Sequence, residues 1–249
     1  MKQRIFYMYG LELNKIYNES NLDTMKRMPD NFVDYVLTSP PYNFGYNNMY
    51  GNGVKKYNEY KDNIDDYFGN QKVLIDELLR VTKKHIFYNI QMLGNNKVSF
   101  LSLLGNYKNN IKDIIIWKKS MIPHIEKGIL SSSFEFIIIF SNDAPDKKKF
   151  YDANFGIGKM SNVFEIFNSH SNPFAKDHRA IMPLDIPRYF MINFGNKDDL
   201  WYDPYMGTGT TAIGAILEKR NWIGSEISGK YCELANKRIK PYLQQQNLF

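Results

Sequence analysis

The chain has 249 residues, of which 43% are hydrophobic and 23% charged, and a formal net charge of +6 with a pI near 9.1. That size and balance suit one globular domain with a substantial core. Its single cysteine, Cys232, excludes internal disulfides and any cysteine-built metal cluster, and no apolar run approaches the length of a membrane span. The first residues, Met1-Lys2-Gln3-Arg4, lack the apolar stretch and small-residue cleavage site of a secretory signal, so a cytoplasmic protein without a membrane partner is expected. The basic excess is mild and suits a polyanionic partner, because Lys and Arg displace counterions from phosphate.

In chain order, Leu22, Met25 and Met28 recur at helical spacing, and Pro29-Asp30-Asn31 closes that helix. Residues 34–38 read as a short buried strand stopped by Pro40 and Pro41. Residues 43–66 are polar and rich in Gly, Asn and Tyr, long enough to expect a functional loop. A helix over 65–81 (Phe68, Leu74, Leu78, Val81) precedes a strand at 85–89, a helix at 98–104 and a strand at 111–117. Residues 121–132 read as loop, 134–140 as a strong strand, and 142–150 as a turn carrying Lys147-Lys148-Lys149. The stretch 151–178 reads as irregular. It is followed by a helix at 184–194, a strand from 200, a helix at 210–219, a strand at 222–226 and a closing helix at 230–243. Strands alternating with helices predict an α/β fold with a doubly wound, mostly parallel sheet, in one domain spanning 1–249.

Two stretches carry chemistry. The first is Asp203-Pro-Tyr205-Met206-Gly207-Thr-Gly209-Thr210-Thr211, at a strand-to-helix turn. Ligands of open α/β sheets bind at such strand ends, and Gly207 and Gly209 let the backbone turn tightly beside one. Asp203 ends the strand, where its carboxylate can meet a cationic or hydroxyl-bearing group, and Thr210 or Thr211 is expected to cap the helix. Glu226 ends the next strand, where a carboxylate can accept from both hydroxyls of a ribose. The pattern is not GxGxxG and lacks a phosphate-cradling Lys-Ser/Thr, which favours a nucleoside cofactor over a pyrophosphate one; a lone Gly-Thr-Gly would read as an ordinary turn.

The second stretch is Thr38-Ser39-Pro40-Pro41-Tyr42-Asn43. Two prolines fix the backbone and remove two N–H donors, leaving acceptors: the Ser39 hydroxyl and the Pro40 carbonyl. An exocyclic amino group needs such acceptors, which draw its lone pair out of conjugation with the ring. Tyr42 offers a face on which the same base could stack, once the base has left the duplex.

With both motifs in this order, the chain resembles the β class of DNA amino-methyltransferases, in which the catalytic motif precedes the cofactor glycine motif. Residues 31–43 resemble the catalytic strand and its lead-in. His178 to Pro183 and Arg188 resemble the helix before the cofactor motif, and Asp203 to Thr211 resemble the cofactor motif itself. Gly224-Ser225-Glu226 and Tyr231 resemble the ribose-binding strand and the helix after it. The resemblance implies a Rossmann-like, seven-stranded sheet with inserted target-recognition loops, S-adenosylmethionine as cofactor, and direct transfer of methyl to nitrogen without a cysteine nucleophile. His124, His170 and His178 are too scattered for a metal site, and no metal is expected. It assigns Ser39, Pro40, Pro41 and Tyr42 to catalysis and Asp203, Tyr205, Gly207, Gly209, Thr210, Thr211 and Glu226 to the cofactor. Ser20 stands where relatives often carry Asp beside the cofactor's adenine, with Glu19 and Asp23 as alternatives, and Tyr205-Met206 replaces the more usual Phe-Ala or Phe-Cys.

Ser before Pro-Pro occurs mostly in cytosine-N4 enzymes, whereas Asn43 is frequent among adenine-N6 enzymes; cytosine N4 is the expected acceptor. Residues 120–177 occupy the usual target-recognition interval, 46–61 form a loop over the substrate, and Lys118, Lys119, Lys127, Lys147, Lys148, Lys149 and Lys159 are candidate phosphate contacts. Double-stranded DNA is the implied partner, with a homodimer and a cognate restriction endonuclease as further candidates. Methylation of protein or RNA amino groups, or a catalytically silent DNA-binding module, are the rival readings.

Overall fold

The computed structural model describes residues 9–44, 49–50, 54–55, 64–120, 127–128, 130–142, 148–166 and 182–246. The main elements are β1 (Lys15–Tyr17), α1 (Asn21–Lys26), β2 (Val33–Thr38), α2 (Tyr67–Val81) and β5 (Thr82–Ile90). Then come α3 (Lys97–Asn106), β6 (Ile111–Lys119), β7 (Phe134–Ser141), β8 (Val163–Ile166) and α4 (Asp185–Asn193). The chain closes with β9 (Leu200–Asp203), α5 (Thr210–Leu217), β10 (Asn221–Ser225) and α6 (Gly229–Gln246). Between β2 and α2, β3 (Met49–Tyr50) and β4 (Val54–Lys55) pair as a separate antiparallel hairpin.

Eight strands form one sheet in the order β1-β10-β9-β2-β5-β7-β6-β8. Only the β5/β7 and β6/β7 pairs are antiparallel, so the expected doubly wound, mostly parallel α/β fold is present. The sheet has one strand more than expected. Within this sheet the two strands absent from the sequence reading lie at its edges: β1, of three residues, and β8, inside the stretch read as irregular. Each pairs with a single neighbour and is too short to show a period.

The strands alternate between two cores. Val36, Ile86, Tyr88, Ile138, Tyr202 and Ile223 face the layer of α1, α2 and α3. Their chain neighbours Tyr35, Leu37, Phe87, Ile139, Trp201 and Trp222 face α4, α5 and α6. Burial on both faces explains why these strands read as continuous apolar runs. Each fully buried residue such as Phe87 or Ile223 stabilises the fold by about 1.5–3 kcal/mol.

The helices follow their sequence signals. Asp66 caps α2 by accepting from Gly69 N–H at 2.8 Å, and Gln71, Leu74, Ile75, Leu78 and Val81 make its inner stripe. The α5 helix is buried from Thr210 to Ile216, being enclosed by the sheet, α4 and α6.

The order of strands places the site. From β2 the chain moves one way along the sheet to β5, and from β9 the other way to β10, so β2 and β9 flank the point where the winding reverses. They are parallel neighbours, with Tyr35 opposite Trp201 and Val36 opposite Tyr202. One more step along that register puts Leu37 level with Asp203. Two motifs separated by some 160 residues therefore open at the same edge of the sheet, in the crevice where such folds bind ligands.

Candidate active site

On the β9 side, Asp203 is buried, and its carboxylate accepts from Tyr205 N–H at 3.0 Å and from Thr211 Oγ1 at 2.6 Å. Burial pushes its pKa up to about 6, against the pull of those two hydrogen bonds. Glu226 lies just past β10, with Gly224 opposite Asp203. Its carboxylate accepts from Gly207 N–H and from Ser228 N–H, both at 2.8 Å, while burial raises its pKa. Two buried carboxylates thus stand at adjacent strand ends, each held by backbone donors, a set suited to a ligand with a cationic centre and vicinal hydroxyls.

The glycines divide their work. Gly207 has φ +52°, and a Cβ there would meet only the Tyr205 carbonyl at 3.8 Å, so its bare backbone leaves room for a ligand. Gly209 has φ +84° and is the N-cap of α5; a Cβ there would stand 3.1 Å from Ala235 and Ile239 of α6. Gly209 therefore serves helix packing. The expected capping by Thr210 or Thr211 is corrected: both already lie inside α5, and the Thr211 hydroxyl turns to Asp203. A support absent from the sequence reading is Arg238 of α6, whose guanidinium donates to the Thr208 carbonyl and hydroxyl, both at 2.5 Å, clasping the turn from behind.

Ser20 is the N-cap of α1. Its hydroxyl accepts from Asp23 N–H at 3.2 Å and donates to the Asp23 carboxylate at 2.8 Å. Glu19 accepts from Thr24 Oγ1 at 2.7 Å and pairs with Arg27. All three residues offered for the cofactor's adenine therefore have local structural partners. Met206 is buried and fills the space over Gly224, where a Cβ would approach its side chain to 2.4–3.0 Å.

On the β2 side, Ser39 is half-buried at the strand end. The Pro41 carbonyl accepts from Tyr67 Oη at 2.9 Å, whereas that of Pro40 accepts from none of the described residues. The Ser39 hydroxyl lies 2.8 Å from Tyr42 Oη and 3.4 Å from Asn89 Nδ2. Tyr42, expected to offer its ring face to a base, is 5% exposed; its ring stacks on Phe44 at 6.1 Å, and its hydroxyl donates to Glu135 at 2.8 Å. A buried tyrosine hydroxyl requires polar partners, and here they draw the ring inward.

Asn43 has φ +59°, a conformation Asn tolerates better than most residues, and its Oδ1 accepts from Ile64 N–H at 2.9 Å. It tethers the end of the 43–66 segment and is accounted for without reference to a base. Behind Ser39, Asn89 stands near the end of β5, Glu135 begins β7 with Phe134, and Lys119 ends β6. None of Asn89, Glu135 or the inward-facing Lys119 was marked by a motif; a lone Glu in an apolar strand was the available signal.

Among the candidate phosphate contacts, Lys119 is corrected. Its ammonium is 2.6 Å from Glu135, with both side chains largely buried. Lys118 pairs with Glu165 at 3.1 Å across β6 and β8, and Lys127, Lys148, Lys149 and Lys159 are exposed. Lys147, His124, His170 and His178, most of the loop at 46–61 and residues 167–177 lie outside the described residues. Among the described residues no group of His, Cys, Asp or Glu has a metal-holding arrangement, and no helix is long and apolar enough to cross a membrane.

The family model for N6 and N4 DNA methylases matches residues 33–237, from the first residue of β2 well into α6. The chain belongs to this DNA amino-methyltransferase family. Orphan methyltransferase M.BamHII of Bacillus amyloliquefaciens is 28% identical to it over 254 residues, covering 85% of this methyltransferase and 90% of M.BamHII. Among solved structures, the PvuII DNA methyltransferase (cytosine-N4-specific) aligns with a TM-score of 0.69 at 16% identity, covering 90% of this methyltransferase and 85% of that chain. The M1.HpyAVI–SAM complex aligns with a TM-score of 0.64 at 20% identity, over 90% and 98% of the two chains. At such identities the structural likeness speaks for the fold, which is the one expected from the order of elements.

Proposed function

We propose that this methyltransferase moves a methyl group from S-adenosylmethionine to the exocyclic amino nitrogen of a base rotated out of double-stranded DNA, with cytosine N4 as the acceptor. The observation that carries this reading is the pair of acceptors, Ser39 Oγ and the Pro40 carbonyl, at a strand end beside the carboxylates of Asp203 and Glu226.

Asp203 would hold a cationic group of the cofactor and Glu226 its ribose hydroxyls, with Tyr205, Gly207, Thr210 and Thr211 shaping the turn and Gly209 seating it on α6. Bound there, S-adenosylmethionine supplies an electrophilic methyl group on a positively charged sulfur. The protein's own part is alignment. Ser39 and Pro40 accept the two amino protons, concentrating the nitrogen lone pair on the side away from them, and the rigid Pro40-Pro41 backbone fixes the direction of approach. Pro41 acts by geometry, Ser39 and the Pro40 carbonyl by touching the substrate, and Tyr42 by holding Ser39.

Cytosine is favoured over adenine by Ser39 at the head of the motif, while Asn43, the feature that pointed to adenine, is explained by its turn conformation and its bond to Ile64. Residues 120–177 are assigned to target recognition within a single domain, with exposed Lys127, Lys148, Lys149 and Lys159 as phosphate contacts. A cytoplasmic setting goes with this reading, with a homodimer and a cognate restriction endonuclease as candidate partners.

Incubation of the purified protein with unmethylated DNA and labelled S-adenosylmethionine, followed by nucleoside mass spectrometry, tests it. N4-methylcytosine is the expected product. N6-methyladenine would move the acceptor while keeping the mechanism, and label appearing only in RNA or protein would overturn DNA as the substrate.

A further inference from the structure

The polar cluster behind Ser39 has a direction, and that direction is set from outside the motif. Tyr42 Oη carries one proton, and it is donated to Glu135 Oε2 at 2.8 Å. Asn89 Nδ2 donates to the same Tyr42 oxygen at 2.6 Å and to Glu135 Oε2 at 2.8 Å. The contact between Ser39 Oγ and Tyr42 Oη, 2.8 Å long, can be made only if one hydroxyl donates to the other. Since the Tyr42 proton is committed to Glu135, Ser39 must be the donor. Its lone pairs then face away from Tyr42, and among the described residues only the long 3.4 Å approach of Asn89 Nδ2 competes for them.

Glu135 is 7% exposed and anchored by the Lys119 ammonium at 2.6 Å on its other oxygen, so it meets Tyr42 as a pure acceptor. Asn89 is 2% exposed and cannot turn its oxygen toward that carboxylate without setting two acceptors against each other. Among the described residues, Glu135, Lys119 and Asn89 thus favour one sense of the chain, from Ser39 through Tyr42 to Glu135.

We propose that Glu135, held by Lys119, is the positioning residue that fixes Ser39 as a hydrogen-bond acceptor toward the substrate, so that the pocket admits an exocyclic amino group and disfavours a carbonyl at the same place. The inference rests on the proposed function, because it concerns how the acceptor base is chosen. A base with oxygen in place of the amino group would set a lone pair against that of Ser39. A reversed chain, with Tyr42 donating to Ser39, would free the Ser39 proton to point at the base and would oppose the amino group instead.

The variant Glu135→Gln tests this. With Lys119 present, the introduced amide should turn its oxygen to the ammonium and its N–H toward Tyr42, which reverses the chain. The expected result is a kcat for DNA methylation lowered roughly ten- to a hundredfold, with KM and Kd for S-adenosylmethionine within about twofold of wild type. In a Tyr42→Phe background, where no hydroxyl remains to be reversed, the same substitution should cost less than about twofold more. If Glu135→Gln fails to fold because it strands the buried ammonium, Lys119→Met/Glu135→Met removes both charges together and leaves Tyr42 free to donate to Ser39, with the same expected loss. Losses that multiply fully in the Tyr42→Phe background, or a Glu135→Gln enzyme with unchanged kcat, would overturn the role of Glu135. A wild-type protein that methylates no DNA in the same assay would overturn the functional reading, and this inference with it.

Discussion

The turn after β9 and the turn after β2 lie side by side at one edge of the sheet, yet they are held differently. The β9 turn is fixed by backbone N–H groups that close onto two carboxylates within a span of some 25 residues: Tyr205 onto Asp203, and Gly207 and Ser228 onto Glu226. The Ser39-Pro40-Pro41-Tyr42 turn is held by side chains from elsewhere in the chain: Tyr67 of α2, Asn89 of β5 and Glu135 of β7, with Lys119 of β6 behind Glu135. A site built on local backbone contacts shows itself as a compact motif. A site built on side chains from distant strands shows only its nearest residues.

The strongest effect is expected at Asp203. Asp203→Ala should weaken S-adenosylmethionine binding by about 2–5 kcal/mol in calorimetry, the usual cost of truncating one partner of a buried charged contact. Unchanged affinity would remove Asp203 from the cofactor site. The same carboxylate gives a pH signature. Its folded-state pKa of about 6 lies above the ordinary 3.8, so it is protonated in the ligand-free protein below pH 6. Binding of a cationic cofactor should therefore weaken about tenfold per pH unit below 6 and level off above it. Stability of the ligand-free protein from this group runs the other way: it is fully present below pH 3.8 and lost as pH rises through 6. An affinity flat from about pH 5 to 7 would count against the assignment.

A middle-sized effect probes how tightly the β9 half is packed. Gly224→Ala places a Cβ against Met206 and should destabilise the protein by roughly 1–3 kcal/mol in urea denaturation. In a Met206→Ala background, where the opposing side chain is gone, the same substitution should cost much less. An equal loss in both backgrounds would show that the clash lies elsewhere.

The smallest effect sharpens the boundary of the site. Ser20→Ala should cost about 1 kcal/mol of stability through the lost N-cap of α1, with cofactor affinity within about twofold of wild type. A large fall in affinity at unchanged stability would instead make Ser20 a cofactor residue.

Much of the fold was legible because burial on both faces of β2, β5, β7, β9 and β10 writes continuous apolar runs, separated by helices whose stripes repeat at 3.6 residues. The edge strands β1 and β8 were not legible, since three or four residues with one neighbour carry neither a run nor a period. In the site, Ser39, Asp203, Gly207 and Glu226 announced themselves because turns and strand ends constrain residue type. Lys119 read as a phosphate contact because a lysine beside another lysine looks like surface. Pairing across β6 and β7 places it by Glu135 instead.

The sequence alone determined the alternation of elements, the two motifs and their order, and the family to which they belong, because backbone constraints at turns and burial along strands are written in local residue choice. The tertiary structure alone decided that Tyr42 faces inward, that Thr211 serves Asp203 rather than capping its helix, and that Glu135 and Lys119 stand behind Ser39. Those outcomes depend on which strands become neighbours. Register between strands far apart in the chain is fixed by the packing of the whole sheet, and no local pattern carries it.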